Sequence, residues 1–309
     1  MSTIIEIRDL IKVYRTSSTE VIALRGLDLS VEEGEIVAVM GPSGCGKTTM
    51  LNIVGGLDRP TAGRIIVDNM QIEKLSDKDL YDYRLYKIGF VFQFFNLMNS
   101  ISAEENVELP MQLAGIRSSE RKRRVAELLE MVGMSKRAKH KPVQMSGGEQ
   151  QRVAIAVALA NNPKVILADE PTGELDKKTG YEILELFRKL KEKYGKTLVI
   201  VTHDHRVSNI VDRTVFIEDG KIIGSLDGKE TKDMFSKIEE KHLNELSKSV
   251  SDKLSDKLNE KSIKNEMGVK NEKSIKDGIR DENEDNGEKI EKEKKFRESV
   301  ERSLKGGVE

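Results

Sequence analysis

The segment Glu35-Ile36-Val37-Ala38-Val39-Met40 runs directly into Gly41-Pro42-Ser43-Gly44-Cys45-Gly46-Lys47-Thr48. A short apolar run between glycines is the pattern of a strand buried in a parallel sheet. The eight residues after it match G-x-x-x-x-G-K-[ST], and a helix is expected from Lys47 to about Val54. Glycines let successive backbone N–H groups converge on phosphate oxygens, and the helix start adds a positive dipole. Lys47 supplies a point charge for β/γ-phosphates, and the Thr48 hydroxyl suits a Mg²⁺ ion bound to them. Cys45, beside a helix N-terminus, invites a redox reading, but any small residue fits there, and the reading favoured is backbone only.

Other segments extend this strand–loop–helix unit. Val165-Ile166-Leu167-Ala168 and Thr197-Leu198-Val199-Ile200-Val201 read as further buried strands. Between them, residues 181–193 carry Ile183, Leu184, Leu186, Phe187 and Leu190 at helical spacing, with charges on the other face. Strands joined by crossover helices imply an α/β fold with a mostly parallel sheet covered on both faces. Residues 3–31 and 64–72 are rich in β-branched positions without an intervening helix, suggesting an antiparallel layer. Residues 102–160 read as almost wholly helical, which makes them a helical insertion.

Two further motifs bear on chemistry. The strand Val165-Ile166-Leu167-Ala168 ends in Asp169-Glu170, and strand C-terminal ends face the ligand crevice of a parallel sheet. Asp169 is there expected to orient the Mg²⁺ shell and Glu170 to polarise a water attacking the γ-phosphate. Ser146-Gly147-Gly148-Glu149 opens another helix, with Ser146 as N-cap and Glu149 completing a capping box. That local reading is complete in itself, yet two glycines inside a helix start also offer N–H groups to an anion.

Composition sets the remaining bounds. Of the 72 positions in 238–309, 19 are acidic and 17 basic, with one aromatic residue and no proline, which separates a charged tail from a body over 1–237. Leu243, Leu246, Val250, Leu254 and Leu258 allow one amphipathic helix over about 239–260; beyond Lys264 apolar residues are too sparse, and disorder is expected. The formal net charge of -1 argues against a chain whose main business is coating nucleic acid or an anionic membrane. One cysteine excludes an internal disulfide, and neither a secretory leader nor an apolar run of spanning length is present, so a soluble intracellular chain is expected.

The order phosphate loop, Gln93, Ser146-Gly147-Gly148-Glu149-Gln150, Leu167-Ala168-Asp169-Glu170, Leu175-Asp176 and His203 resembles that of ATP-binding cassette (ABC) ATPases over about residues 3–224. Longer runs, among them Leu51-Asn52-Ile53-Val54-Gly55-Gly56-Leu57-Asp58-Arg59-Pro60-Thr61 and Asp169-Glu170-Pro171-Thr172-Gly173, resemble the lipoprotein-release and macrolide-export branch. The resemblance implies a P-loop ATPase fold with a RecA-like parallel core, an antiparallel β layer and a helical subdomain at about 94–160. It implies a homodimer that sandwiches two Mg-ATP, with Ser146, Gly147, Gly148 and Glu149 acting on the nucleotide held by the opposite phosphate loop, residues 41–48 plus Thr49.

By the same resemblance, Tyr14 stacks on adenine, where an ordinary strand aromatic is the alternative. Gln93 touches Mg²⁺ and the attacking water, His203 contacts the γ-phosphate, and Asp176 communicates across the dimer. His140, His205 and His242 match no such role and are read as surface residues. Met145, Val157 and Glu174 depart from the family pattern, Glu174 adding charge near the dimer seam. The partner implied is a separate transmembrane permease docking on the region after Gln93, which would hold the chain peripherally on the inner face of the cell membrane. A regulatory ATPase of the cell-division or antibiotic-sensing kind is the alternative. A soluble DNA or ribosome ATPase fits less well, because only 98 residues separate Lys47 from Ser146 and no nucleic acid is expected as partner.

Overall fold

The computed structural model describes residues 2–15 and 19–237. The tail readings, a helix over 239–260 followed by disorder, lie outside these residues, as does His242. The body is built on two sheets. The first is antiparallel, with strands β1 (Thr3–Arg15), β2 (Glu20–Glu32), β4 (Ala62–Val67) and β5 (Met70–Gln71) in the order β2-β1-β4-β5. The second has the order β10-β9-β3-β8-β7-β6, from β3 (Ile36–Met40), β6 (Ile88–Val91), β7 (Val165–Asp169), β8 (Thr197–Val201), β9 (Arg213–Glu218) and β10 (Lys221–Asp227). Five of its strands run parallel, and β10 closes one edge antiparallel.

Side chains of this second sheet alternate between two cores, as the two-residue period of a strand requires. Val37 and Val39 of β3, Val165 and Leu167 of β7, and Val199 and Val201 of β8 face helix α1 (Lys47–Val54) and the antiparallel sheet. Ile36, Ala38, Met40, Ile166, Ala168, Leu198 and Ile200 face the helical side. That side comprises α3 (Ala103–Leu113), α4 (Ser118–Met131), α5 (Gly147–Ala158) and α6 (Lys177–Tyr194), while α2 (Asp77–Tyr86) packs Leu80 and Tyr83 into the α1 core. Burial on both faces is why these strands read as unbroken apolar runs.

Helix α6 shows how local rules set an element's ends. The Asp176 side chain accepts the Thr179 N–H at its start, and Gly195 at φ 61 closes it in the left-handed conformation. A cap of the first kind contributes about 1 kcal/mol. Ile183, Leu184, Leu186, Phe187 and Leu190 are its buried stripe. The helical reading of 102–160 is corrected over 132–146: Gly133 at φ 75 ends the path of α4, and the segment up to α5 holds only the short 3₁₀ turns Ser135–Arg137 and Pro142–Gln144. A left-handed glycine ends a helix, and Pro142 lacks the N–H that an α-helix would need to continue.

Candidate functional site

The parallel pairings put four strand ends side by side. β3 pairs with β8 (Val39 with Val201), β8 with β7 (Val201 with Asp169), and β7 with β6 (Ala168 with Val91). Their C-terminal ends therefore present, in spatial order, the phosphate loop, Thr202-His203, Asp169-Glu170 and Gln93. Such a row at the carboxyl edge of a parallel sheet is where ligands bind in this kind of fold.

The loop from Gly41 to Gly46 is shaped by glycines at defined places. Gly44 and Gly46 hold φ of 78 and 105, and a Cβ on Gly46 would come within 2.5 Å of the Ala23 carbonyl. Helix α1 begins at Lys47 without a side-chain cap, so the N–H groups of its first turn are open to an anion. Lys47 is buried, and its ammonium donates to the Gly41 and Pro42 carbonyls, both at 2.8 Å. Cys45 is buried with its Sγ 3.9 Å from that ammonium.

The Thr48 hydroxyl donates to Asp169 Oδ1 at 3.2 Å, joining the phosphate loop to the end of β7. Burial raises the Asp169 carboxyl above its ordinary value against the hydrogen bond from Thr48, and the Glu170 charge adds to the rise. The two oxygen donors at this contact make a hard donor set suited to Mg²⁺, which keeps several waters and takes the rest from phosphates. They fit that ion.

Glu170 is held on three sides. Its backbone sits at φ 45, a left-handed conformation that costs a non-glycine residue about 1 kcal/mol or more, and its N–H donates to the Val201 carbonyl at 2.8 Å. Its Oε2 accepts from the Thr202 hydroxyl at 3.0 Å and from the His203 N–H at 3.3 Å. His203 Nδ1 lies 3.0 Å from Oε1, a contact in which the ring must be the donor because an ionised carboxylate only accepts. The imidazole is otherwise exposed.

Gln93 follows β6, and its Nε2 donates to Glu174 Oε1 at 2.9 Å. The Ser146 turn forms the expected capping box, with Glu149 N–H donating to Ser146 Oγ at 3.3 Å and Ser146 N–H to Glu149 Oε2 at 2.9 Å. Hydrogen bonding from Ser146 and the nearby Arg137 hold the Glu149 carboxyl below its usual range. Among the described residues, no hydrogen bond or ion pair joins Ser146–Glu149 to the phosphate loop; a Cβ on Gly147 would instead meet Leu175 and Phe95 at 3.5 Å. Asp176 is the N-cap of α6, accepting also from the Thr179 hydroxyl. Tyr14 is exposed at the end of β1, with its hydroxyl donating to Asp58 Oδ2 at 2.8 Å.

The structure thus brings the phosphate loop, Asp169, Glu170 and His203 together and leaves the Ser146 turn apart from them. Of the departures from the family pattern, Met145 is buried and Val157 packs half-buried on the helical core. His205 is exposed beside Phe235, and His140 is half-buried with Nε2 3.1 Å from Arg137 Nη1. Sequence reasoning missed Thr202, Lys12 and Asp58 as side chains that hold site residues. For Thr202 the signal was its place between a buried strand and His203.

Residues 24–173 match the family model described as ABC transporter. An uncharacterized ABC transporter ATP-binding protein of Thermotoga maritima is 54% identical over 224 residues, 72% of this chain and 95% of that protein. The lipoprotein-releasing system ATP-binding protein LolD of Geobacter metallireducens is 46% identical over 223 residues, 72% of this chain and 99% of that protein. The dimeric post-hydrolysis structure of the ATP-binding cassette MJ0796 bound to ADP and Pi superposes with a TM-score of 0.68 at 46% identity, over 72% of this chain and 98% of that one; MJ0796 is a protein of Methanocaldococcus jannaschii. With a relative more than half identical along nearly its whole length and a cassette of the same fold, this chain belongs to the ABC transporter family, as an ATP-binding ATPase subunit.

Proposed function

We propose that the chain works as a homodimer that closes over two Mg-ATP and transmits that closure to a separate transmembrane permease. The observation that carries this reading is the division of chemistry within one chain. A phosphate loop, two carboxylates, a histidine and a glutamine line one row of strand ends, whereas the second anion-binding helix start, at Ser146, bonds within its own turn and to Arg137 and, among the described residues, makes no hydrogen bond to the phosphate loop. A helix start that stands apart from the phosphate loop of its own chain is what a composite site between two copies requires. The dimeric MJ0796 cassette supports the same assembly.

Within such a site the N–H groups of residues 44–49 cradle the phosphates, and Lys47 exchanges the Gly41 and Pro42 carbonyls for β/γ-phosphate oxygens. Thr48, Asp169 and Gln93 would hold Mg²⁺, which when bound neutralises charge on those oxygens. Glu170 takes the proton of the attacking water, with Thr202 and His203 fixing its carboxylate. His203 also faces the γ-phosphate, Tyr14 stacks on adenine, and Asp176 carries the state of one site to the other. Ser146, Gly147, Gly148 and Glu149 close on the partner copy's nucleotide.

Coupling is assigned to the segment after Gln93. Phe94 is 70% and Met98 49% exposed, large apolar surfaces left for a partner, and Phe95 and Asn96 hold φ of 57 and 50. Among the described residues no helix is long and apolar enough to cross a membrane. The separate permease of this reading would hold the chain peripherally on the inner face of the cell membrane. The name of the LolD relative, from a lipoprotein-releasing system, supports a transport role.

The test is size-exclusion chromatography of Glu170→Gln with ATP, where a dimer is expected together with loss of turnover. A monomer with near-normal hydrolysis would overturn both the proton-acceptor assignment and the sandwich. Phe94→Asp should release the chain from the membrane fraction of its host cells; undiminished association would remove the docking assignment.

A further inference from the structure

Tyr14 is held by two residues that the site as described does not use. Lys12 and Tyr14 lie two apart on β1 and so share one face of the strand. Asp58 reaches the same place from the turn after α1, where the Leu57 and Asp58 N–H groups both close on the Asn52 carbonyl, at 2.8 and 3.2 Å. One carboxylate oxygen, Asp58 Oδ2, accepts the Tyr14 hydroxyl at 2.8 Å. The other, Oδ1, accepts both the Lys12 ammonium and the Arg59 N–H at 2.7 Å.

The lysine is fixed in its turn. Its Nζ donates a second bond to the Arg59 carbonyl at 2.8 Å and stands 4.7 Å from the centroid of the Tyr14 ring, over its face. Only 12% of the Lys12 side chain is exposed, so this ammonium is not a free surface charge. Burial works to raise the Asp58 carboxyl, but the bonds from Lys12, Tyr14 and the Arg59 N–H outweigh it and hold it below the usual carboxylate range. Partial burial, then the bond to Asp58, raise the Tyr14 phenol, which keeps it a donor across neutral pH. The Thr49 side chain, in the first turn of α1, works against that rise without cancelling it.

We infer that Lys12 and Asp58 are positioning residues for recognition of the nucleotide base, forming a clamp that fixes the Tyr14 ring and leaves one of its faces for stacking. The ammonium covers the opposite face by a cation–π contact, which attracts it to the ring and excludes a second base there. The carboxylate tethers the far end of the ring, so that the orientation needed for stacking exists before nucleotide arrives. Preorganisation of this kind strengthens binding by removing the cost of ordering the side chain on association. Without the clamp, a ring 41% exposed at a strand end is free to change rotamer.

This inference rests on the reading of Tyr14 as the base-stacking aromatic, and the experiment separates the two. Affinities of the full chain for ATP and for inorganic tripolyphosphate are measured by calorimetry, in parallel, for the wild type, Tyr14→Ala, Asp58→Asn, Lys12→Met and Lys12→Arg. Tripolyphosphate has the phosphates without the base, so it also reports whether the loop is folded. Asp58→Asn and Lys12→Met are each expected to weaken ATP binding about fivefold while tripolyphosphate binding stays within twofold, the size expected from a partly buried cation–π or ionic tether. Lys12→Arg should restore most of the loss, because it returns a cation to the ring face.

Parallel weakening of both ligands would show that the two residues merely support the loop, and the clamp is then wrong. Unchanged ATP affinity in Asp58→Asn and Lys12→Met, alongside a selective loss in Tyr14→Ala, would overturn the clamp and leave the stacking intact. Unchanged ATP affinity in Tyr14→Ala would overturn the stacking itself, and the clamp with it.

Discussion

Gln93 Nε2 donates a hydrogen bond to Glu174 Oε1 at 2.9 Å, tying the end of β6 to the turn that follows Glu170. Ionised, the Glu174 carboxylate offers only acceptors, so the amide nitrogen of Gln93 is committed to it and the amide oxygen is turned elsewhere. A small residue at 174 would leave both ends of that amide free to exchange. The carboxylate at this position thus bears on the orientation of the Gln93 amide.

Glu174→Ala should lower ATP turnover about fivefold, with KM for ATP changed less than twofold, as expected when a single exposed hydrogen bond worth about 1 kcal/mol stops orienting a group. Glu174→Gln should fall between, since a glutamine still accepts but also donates. Steady-state hydrolysis assays decide this; a KM effect at constant kcat would place Glu174 in nucleotide binding instead.

Thr202→Val removes the hydroxyl that donates to Glu170 Oε2 while keeping the shape of a fully buried side chain. Turnover should drop about tenfold, because the carboxylate loses one of its fixing donors, and nucleotide affinity should hold. Single-turnover kinetics with ATP, set beside nucleotide titration, give the two numbers.

Lys47→Ala should abolish ATP binding by the isolated chain, since the charge for the β/γ-phosphates is gone. Ser146→Arg should leave binding by the single chain within about threefold and block dimer closure. In an equal mixture, one composite site of each mixed dimer carries neither change. Hydrolysis by the mixture above that of either variant is the expected result, and its absence would argue against sites shared between copies.

Asp169 bears on stability as well as chemistry. Its carboxyl is raised by burial, so ionising it costs folding free energy: the penalty is absent below the ordinary aspartate value and complete above the raised one. Asp169→Asn should therefore raise the thermal midpoint of the nucleotide-free protein at pH 7. The gain should shrink as pH falls toward the ordinary aspartate value, about 3.9. The same substitution should impair Mg-dependent turnover. Calorimetric scans across pH, paired with hydrolysis assays, test both halves.

Much of this protein is written in contiguous stretches. The strand Ile36–Met40, its glycine turn and helix α1 are legible because the chemistry of a phosphate loop is carried by neighbouring backbone N–H groups, and spacing alone sets their geometry. The capping box of Ser146 and Glu149 and the acids ending β7 are legible for the same reason. The break between α4 and α5 was overread as helix because the apolar periodicity before and after it outweighed Gly133 and Pro142.

Only the tertiary structure decided what lies beside what. Ile36 pairs with Leu198 and Val165 with Thr197, neighbours brought together by sheet closure across long stretches of chain. The contacts around the candidate site residues have the same character: Thr202 on Glu170, Glu174 on Gln93, and Lys12 with Asp58 around Tyr14. Each joins side chains from different elements, at distances set by packing and strand register. A sequence pattern specifies backbone geometry over a few residues. The choice of which polar side chain meets which across the fold belongs to the packed core that positions them.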